Sequence, residues 1–159
     1  MANTSNHRLI EVELDELALP PASMEIQQER RVAIFDLLEN NVFELEAIDK
    51  GPYILKLGII ENQLLLDVMD SQRAPVRAFV LAMTQLDRVI KDYFIICDSY
   101  YEAIRRSTAQ QIEAIDMGRR GLHNEGSGLL EKRLAGKVKV DFDTARRLFT
   151  LICALRARN

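Results

Sequence analysis

Between Ile115 and Ser127 the chain carries Asp116, Arg119, Arg120, His123, Asn124, Glu125 and Ser127, interspersed with Gly118, Gly121 and Gly126. Two neighbouring guanidiniums can hold a phosphate or carboxylate through paired hydrogen bonds. A histidine titrates near neutrality and can take or give a proton. A carboxylate beside it can fix its tautomer, a role open to Asp116 or Glu125. A helix turns about 100° per residue, so a helix through this segment would put Asp116, Arg119, Arg120, His123 and Ser127 on one face. Ile112, Ile115 and Leu122 would form an adjoining apolar face. In an enzyme, His123, Asp116 and Glu125 would be the catalytic candidates; in a binding protein, Arg119, Arg120, His123 and Asn124 would form the contact. A plainer use of the same residues stays open. Asp116 and Arg120 are spaced as an (i, i+4) ion pair, Gly121 and Gly126 could end one helix, and Asn124 or Glu125 could satisfy its exposed groups.

Other chemistries lack their residues. The chain has two histidines, His7 and His123, and two cysteines, Cys97 and Cys153, all isolated, so no metal site is expected. No glycine-rich phosphate loop and no serine elbow occurs, and no cofactor is expected. An arginine and a histidine close together on a helix are similar to the pattern of helical HEPN-type ribonucleases. The gap from Arg119 to His123 is shorter than theirs, however, and the chain is not all helical.

These residues must be positioned by the elements around them, which the chain length confines to a single domain of 159 residues. Residues 1–7 are polar and expected to fray. Residues 8–83 read as strand-rich with one helix. Arg8 to Leu14 alternates as a half-buried strand, and Ser23 is placed to cap a helix to Glu39. Val42–Ile48, Tyr53–Ile60, Leu64–Met69 and Val76–Met83 follow as short strands, with Glu61-Asn62 as a tight turn. Residues 84–159 read as helical. Thr84 to Asp87 resembles a capping box opening a long amphipathic helix to Arg106. Thr108 caps a second helix, Ser127 a third, and Asp141 or Asp143 a last one, with Gly136 closing the third. The expected class is α+β: an antiparallel meander of four to five strands packed by the long helix, followed by a helical C-terminal half.

Residues 1–70 carry a net charge of −9 and residues 71–159 a net +6. Either the halves neutralise each other or the C-terminal half presents a basic surface to an acidic partner. Four arginine doublets, Arg30-Arg31, Arg105-Arg106, Arg119-Arg120 and Arg146-Arg147, suit such a surface only if the fold gathers them. Tyr93, Tyr100 and Tyr101 line the long helix, as packing residues or as a stacking surface. No apolar run reaches the ~20 residues of a membrane span, and Met1–Arg8 lacks a signal peptide's hydrophobic region. A cytoplasmic protein without membrane contact is expected.

The stretches Ile90-Lys91-Asp92-Tyr93-Phe94, Ser99 to Arg105, Ile115 to Ser127 and Val140 to Ile152 together resemble an alphaproteobacterial uncharacterised protein family carrying the provisional number 0262. The resemblance runs the full length and is weakest over the first strand-rich part. It implies a bacterial cytoplasmic protein of this size and assigns no activity or site residue. The residues themselves favour a non-enzymatic interaction or regulatory protein that uses a basic helical surface to meet a protein or an anionic ligand. The alternative is a small hydrolase or nuclease acting on a phosphate-containing substrate with His123 as acid or base. Nucleic-acid binding is more weakly indicated, and a homodimer through an exposed sheet edge or face stays open.

Overall fold

The computed structural model describes residues 3 and 5–156. The main sheet has four strands, β1 (Leu9–Leu14), β3 (Tyr53–Ile60), β4 (Gln63–Asp70) and β5 (Pro75–Ala82), side by side in that order. β3, β4 and β5 form the antiparallel meander read from the sequence. Its first turn is a two-residue hairpin in which Glu61 and Asn62 both adopt positive φ, 50° and 64°, the geometry whose twist matches the flanking strands.

Two expectations about the sheet need correction. It is mixed, because β1 runs parallel to β3. Parallel neighbours require a crossover, and here α1 (Met24–Glu39) lies on it. Val42–Ile48 is not a sheet strand either: only Glu44–Leu45 (β2) pairs, with Val138–Lys139 (β6), in a separate two-stranded ribbon. Buried Asn41 joins the crossover to β1. It accepts from Leu9 N at 2.7 Å and donates to Leu9 O and Leu37 O. The polar stretch before β1 is tied down where it is described: Asn3 bonds Asn40 and Asn41, and the His7 carbonyl accepts from Phe43 N.

α2 (Thr84–Arg106) begins after Met83 without the expected cap. Thr84 is its first residue, and Asp87 is drawn instead to Arg156 at 2.6 Å. The first turns of α2 bury Leu86, Val89 and Ile90 in the core. Beyond them α2 does not lie across the sheet as expected; it packs along α3 (Ala109–Leu134) as a helical hairpin. α4 (Phe142–Arg156) fills the space between α1 and α3 and is the most deeply buried helix. Asp141 caps it through Thr144 N at 2.8 Å. One apolar core joins Leu55, Leu57, Leu64 and Leu66 of the sheet to Leu130 of α3 and Phe149 of α4. Among the described residues, no helix is long and apolar enough to cross a membrane.

Candidate functional site

The segment from Ile115 to Ser127 lies wholly within α3, a single helix of 26 residues. The expected third helix starting at Ser127 does not exist. Thr108 and Gln111 close a full capping box at the N-terminus of α3, and the helix then runs through Gly118, Gly121, Gly126 and Gly128. Each internal glycine costs about 1 kcal/mol relative to alanine, and packing against α2 and α4 offsets this. Two of them sit at close approaches, and Gly126 is the one that packing requires. A Cβ on Gly126 would lie 2.2 Å from the Phe149 ring, and one on Gly118 would lie 2.8 Å from Ile96 Cδ1. Glycines read as possible helix breakers therefore let neighbouring helices approach.

Helical phasing brings the expected face together and then divides it in two. At one end Asp116 accepts from Arg119 at 2.5 Å and 3.1 Å and pairs with Arg120 Nε at 3.2 Å. The hydrogen bonds from Arg119 hold the Asp116 carboxyl below its usual range. Arg119 also lies over the Tyr100 ring, 4.5 Å from its centre, a cation–π contact. The guanidiniums that could have clamped an external anion thus share an internal carboxylate.

At the other end His123 sits between α2 and α4. Its ring meets Phe149 and Tyr93 edge-on, with centres 5.2 Å and 5.5 Å away. Nε2 lies 2.8 Å from Thr150 Oγ1. Buried Ser127 donates to the His123 carbonyl at 2.7 Å and lies 3.5 Å from Nδ1. Burial first, then the charges of Arg146 and Arg119, push the imidazole pKa down from 6.5, so the ring is neutral at neutral pH. Neither Asp116 nor Glu125 hydrogen-bonds it. Asn124 and Glu125 are exposed, and among the described residues their side chains make no hydrogen bond. The candidates are one helix face in phase, but His123 has hydroxyl and aromatic neighbours where acid–base chemistry would place a carboxylate.

Thr150 leads to a feature that sequence reasoning missed. α1 packs on α4 and α2 on α3, leaving α1 and α2 apart across an open groove of about 1170 Å³. Val32 forms part of the α1 wall, Phe94, Cys97 and Tyr101 the α2 wall, and Thr150 and Cys153 part of the floor. Both cysteines are free, and burial pushes both thiols up. The charged residues lining the groove are all acids: Glu25, Glu29 and Asp36 on α1 and Asp98 on α2. A sequence signal for it exists. Ile90, Phe94, Cys97, Tyr101 and Ile104 alternate in steps of four and three, the spacing of a helix–helix seam. Ile90 is buried, whereas Tyr101 and Ile104 are 65% and 53% exposed, so the seam outruns the chain's own core. No group of three or more metal-ligating side chains is found among the described residues.

Residues 6–158 match the uncharacterised protein family UPF0262. The chain belongs to that family. It is 59% identical over 154 residues to the UPF0262 protein of Caulobacter vibrioides NA1000, an alignment covering 97% of this chain and 96% of that protein. The UPF0262 protein of Phenylobacterium zucineum is 57% identical over 96% of this chain and 94% of its own length, and that of Rhodospirillum rubrum 55% over 94% and 92%. These relatives are bacterial and of matching length, in line with the resemblance carried by the motifs, and their names assign no activity. No solved structure matches the chain.

Proposed function

We propose that this UPF0262 protein is a non-enzymatic interaction or regulatory protein that docks a partner on its helical layer. The observation that carries this reading is the open, apolar-walled groove between α1 and α2. Asp116, Arg119, Arg120, His123 and Ser127 meanwhile serve contacts within the molecule. The partner's charge is the reverse of the one expected from the basic C-terminal half. Arg119, Arg120 and Arg156 are paired to Asp116 and Asp87, and Arg133 and Arg147 donate to backbone carbonyls. The groove carries Glu25, Glu29 and Asp36, none of which is in an ion pair among the described residues. Its occupant is a cationic amphipathic helix, apolar side chains against Phe94 and Tyr101 and lysines or arginines along the acidic rim. A helix about 10 Å across fills about 420 Å³ per turn, so the groove matches roughly two to three turns.

The chain's only cysteines line this groove, which provides a direct test. A designed Leu/Lys helical peptide is expected to slow maleimide modification of Cys97. A Leu/Glu peptide with the same apolar face is expected to have little effect, and Glu29→Lys with Asp36→Lys should reverse the preference. Equal protection by both peptides, or none, would refute the assignment. Protection that grows with protein concentration alone would instead put a second copy of the chain in the groove.

One contact favours a second reading, a hydrolase acting on a phosphate-containing substrate. His123 Nε2 lies within hydrogen-bond distance of the exposed Thr150 hydroxyl, and a neutral imidazole is the form that accepts a proton. Screening phosphoesters and RNA against the wild type and His123→Ala decides it. Activity unchanged in the variant would remove His123 from the chemistry.

A further inference from the structure

Arg30, on the opposite flank of α1 from the groove's centre, is only 4% exposed. Its Nε donates to the Ala154 carbonyl in the last turn of α4 at 3.2 Å. That helix end carries partial negative charge and suits a cation. One carbonyl does not satisfy a guanidinium, which has five N–H groups and keeps its proton in proteins. Nη2 is buried without any hydrogen-bond partner, and no carboxylate forms an ion pair with Arg30 among the described residues. A buried cation without a counter-charge is among the costliest arrangements in a folded chain. An anion brought beside it would offset that cost.

Arg30 lines a cavity of about 520 Å³ between α1 and the segment leading into it. Leu14, Leu19, Pro20 and Ile34 make apolar walls, and Gln27 and Arg31 add donors beside Arg30. Arg31 is exposed and currently grips only the neutral Gln28 side chain, at 2.9 Å and 3.2 Å, so its charge is available. The single acid in the lining, Glu16, is exposed and in no ion pair among the described residues. The volume falls within the range of small-molecule sites, which combine apolar walls with a few convergent polar groups.

We infer that this cavity binds a small organic oxyanion, a carboxylate or phosphate monoester with a short apolar body, whose charged group neutralises Arg30 and Arg31. Arg30 is then the anchor of a site and α4's last turn its brace, so that ligand binding reports directly on how α1 and α4 are held together. This inference stands apart from the groove, which lies on the other side of α1 and contains neither arginine.

The test uses hexanoate, hexyl phosphate and inorganic phosphate as probes on the full chain, read by thermal melting and by the Arg30 Nε–H resonance. The wild-type melting temperature is expected to rise with probe concentration, by about 5–10 °C at a hundredfold excess over the Kd. The resonance should shift with the same concentration dependence. Hexanoate outperforming hexyl phosphate identifies a carboxylate site, and the reverse order a phosphate site. Inorganic phosphate should act more weakly than hexyl phosphate because it leaves the apolar walls empty. Arg30→Met should melt higher than the wild type in probe-free buffer, because it removes an uncompensated charge, and should lose the response. Should that variant fail to fold, Arg31→Met, at an exposed position, is expected to weaken the response at least tenfold in concentration. No wild-type response, or the same response in wild type and variant, would overturn the inference.

Discussion

Gly126 offers the sharpest test of how α3 meets α4. An alanine Cβ there would sit 2.2, 2.4 and 2.7 Å from three atoms of the Phe149 ring. The ring cannot easily yield. Phe149 is fully buried and is hemmed in by His123 at 5.2 Å and Tyr93 at 6.3 Å between ring centres. Gly126→Ala gains about 1 kcal/mol of helix propensity. Against that, overpacking a rigid core costs about 3 kcal/mol, the upper end expected when several contacts are forced at once. The net is a loss of about 2 kcal/mol, or roughly 4–8 °C in melting temperature for a chain of this size. Gly121 is the internal control: it has nothing within 4 Å of its would-be Cβ. Gly121→Ala should therefore show the propensity gain alone, about 1 kcal/mol of added stability. Urea denaturation and calorimetry of both variants read the difference of about 3 kcal/mol between them. If Gly126→Ala were as stable as Gly121→Ala, the close α3–α4 approach that places His123 and Phe149 side by side would be wrong.

Three further outcomes are expected. Asn41→Ala removes three buried hydrogen bonds to Leu9 and Leu37 and should cost about 3 kcal/mol; a loss under about 1 kcal/mol in urea denaturation would contradict its role as the pin between α1 and β1. For His123 the folded pKa lies below the unfolded value of 6.5, so the unfolded chain binds the proton more readily. Its contribution to stability is complete above pH 6.5 and is lost as pH falls toward the folded pKa. His123→Ala should flatten the stability profile below that point, and an imidazole NMR midpoint at or above 6.5 would refute the assignment. Half-buried Cys97 should react with a small maleimide in the native state while buried Cys153 stays protected, and mass spectrometry finding both modified at equal rates would contradict the floor of the groove.

Local features were legible because their physics is local. Ser23 and Thr108 cap the helices they were expected to cap, Glu61-Asn62 makes the tight turn, and Asp116 pairs with Arg120. Each depends on residues a few positions apart, as does the helical phasing that put Asp116, Arg119, Arg120 and His123 on one face. The strand–helix–strand order of β1, α1 and β3 also held the signal of a parallel crossover, masked by the stronger antiparallel pattern of the three strands that follow.

The rest depended on which surfaces meet. Glycine has the same intrinsic helix penalty at Gly121 and Gly126, and only the position of Phe149 on another helix makes one dispensable and the other necessary. Arg30 and Arg31 are adjacent and identical in type, yet one lies under the last turn of α4 and the other in water. His123 takes Thr150 and Phe149 as neighbours from a helix that begins nineteen residues later, and the groove exists because α1 and α2 chose different partners. Amino-acid order alone determined the class of this chain, its family and most of its local stops and starts. Tertiary packing decided which charges are spent, which are stranded and which apolar surface is left over, because burial and pairing are properties of contacts between segments distant in the chain.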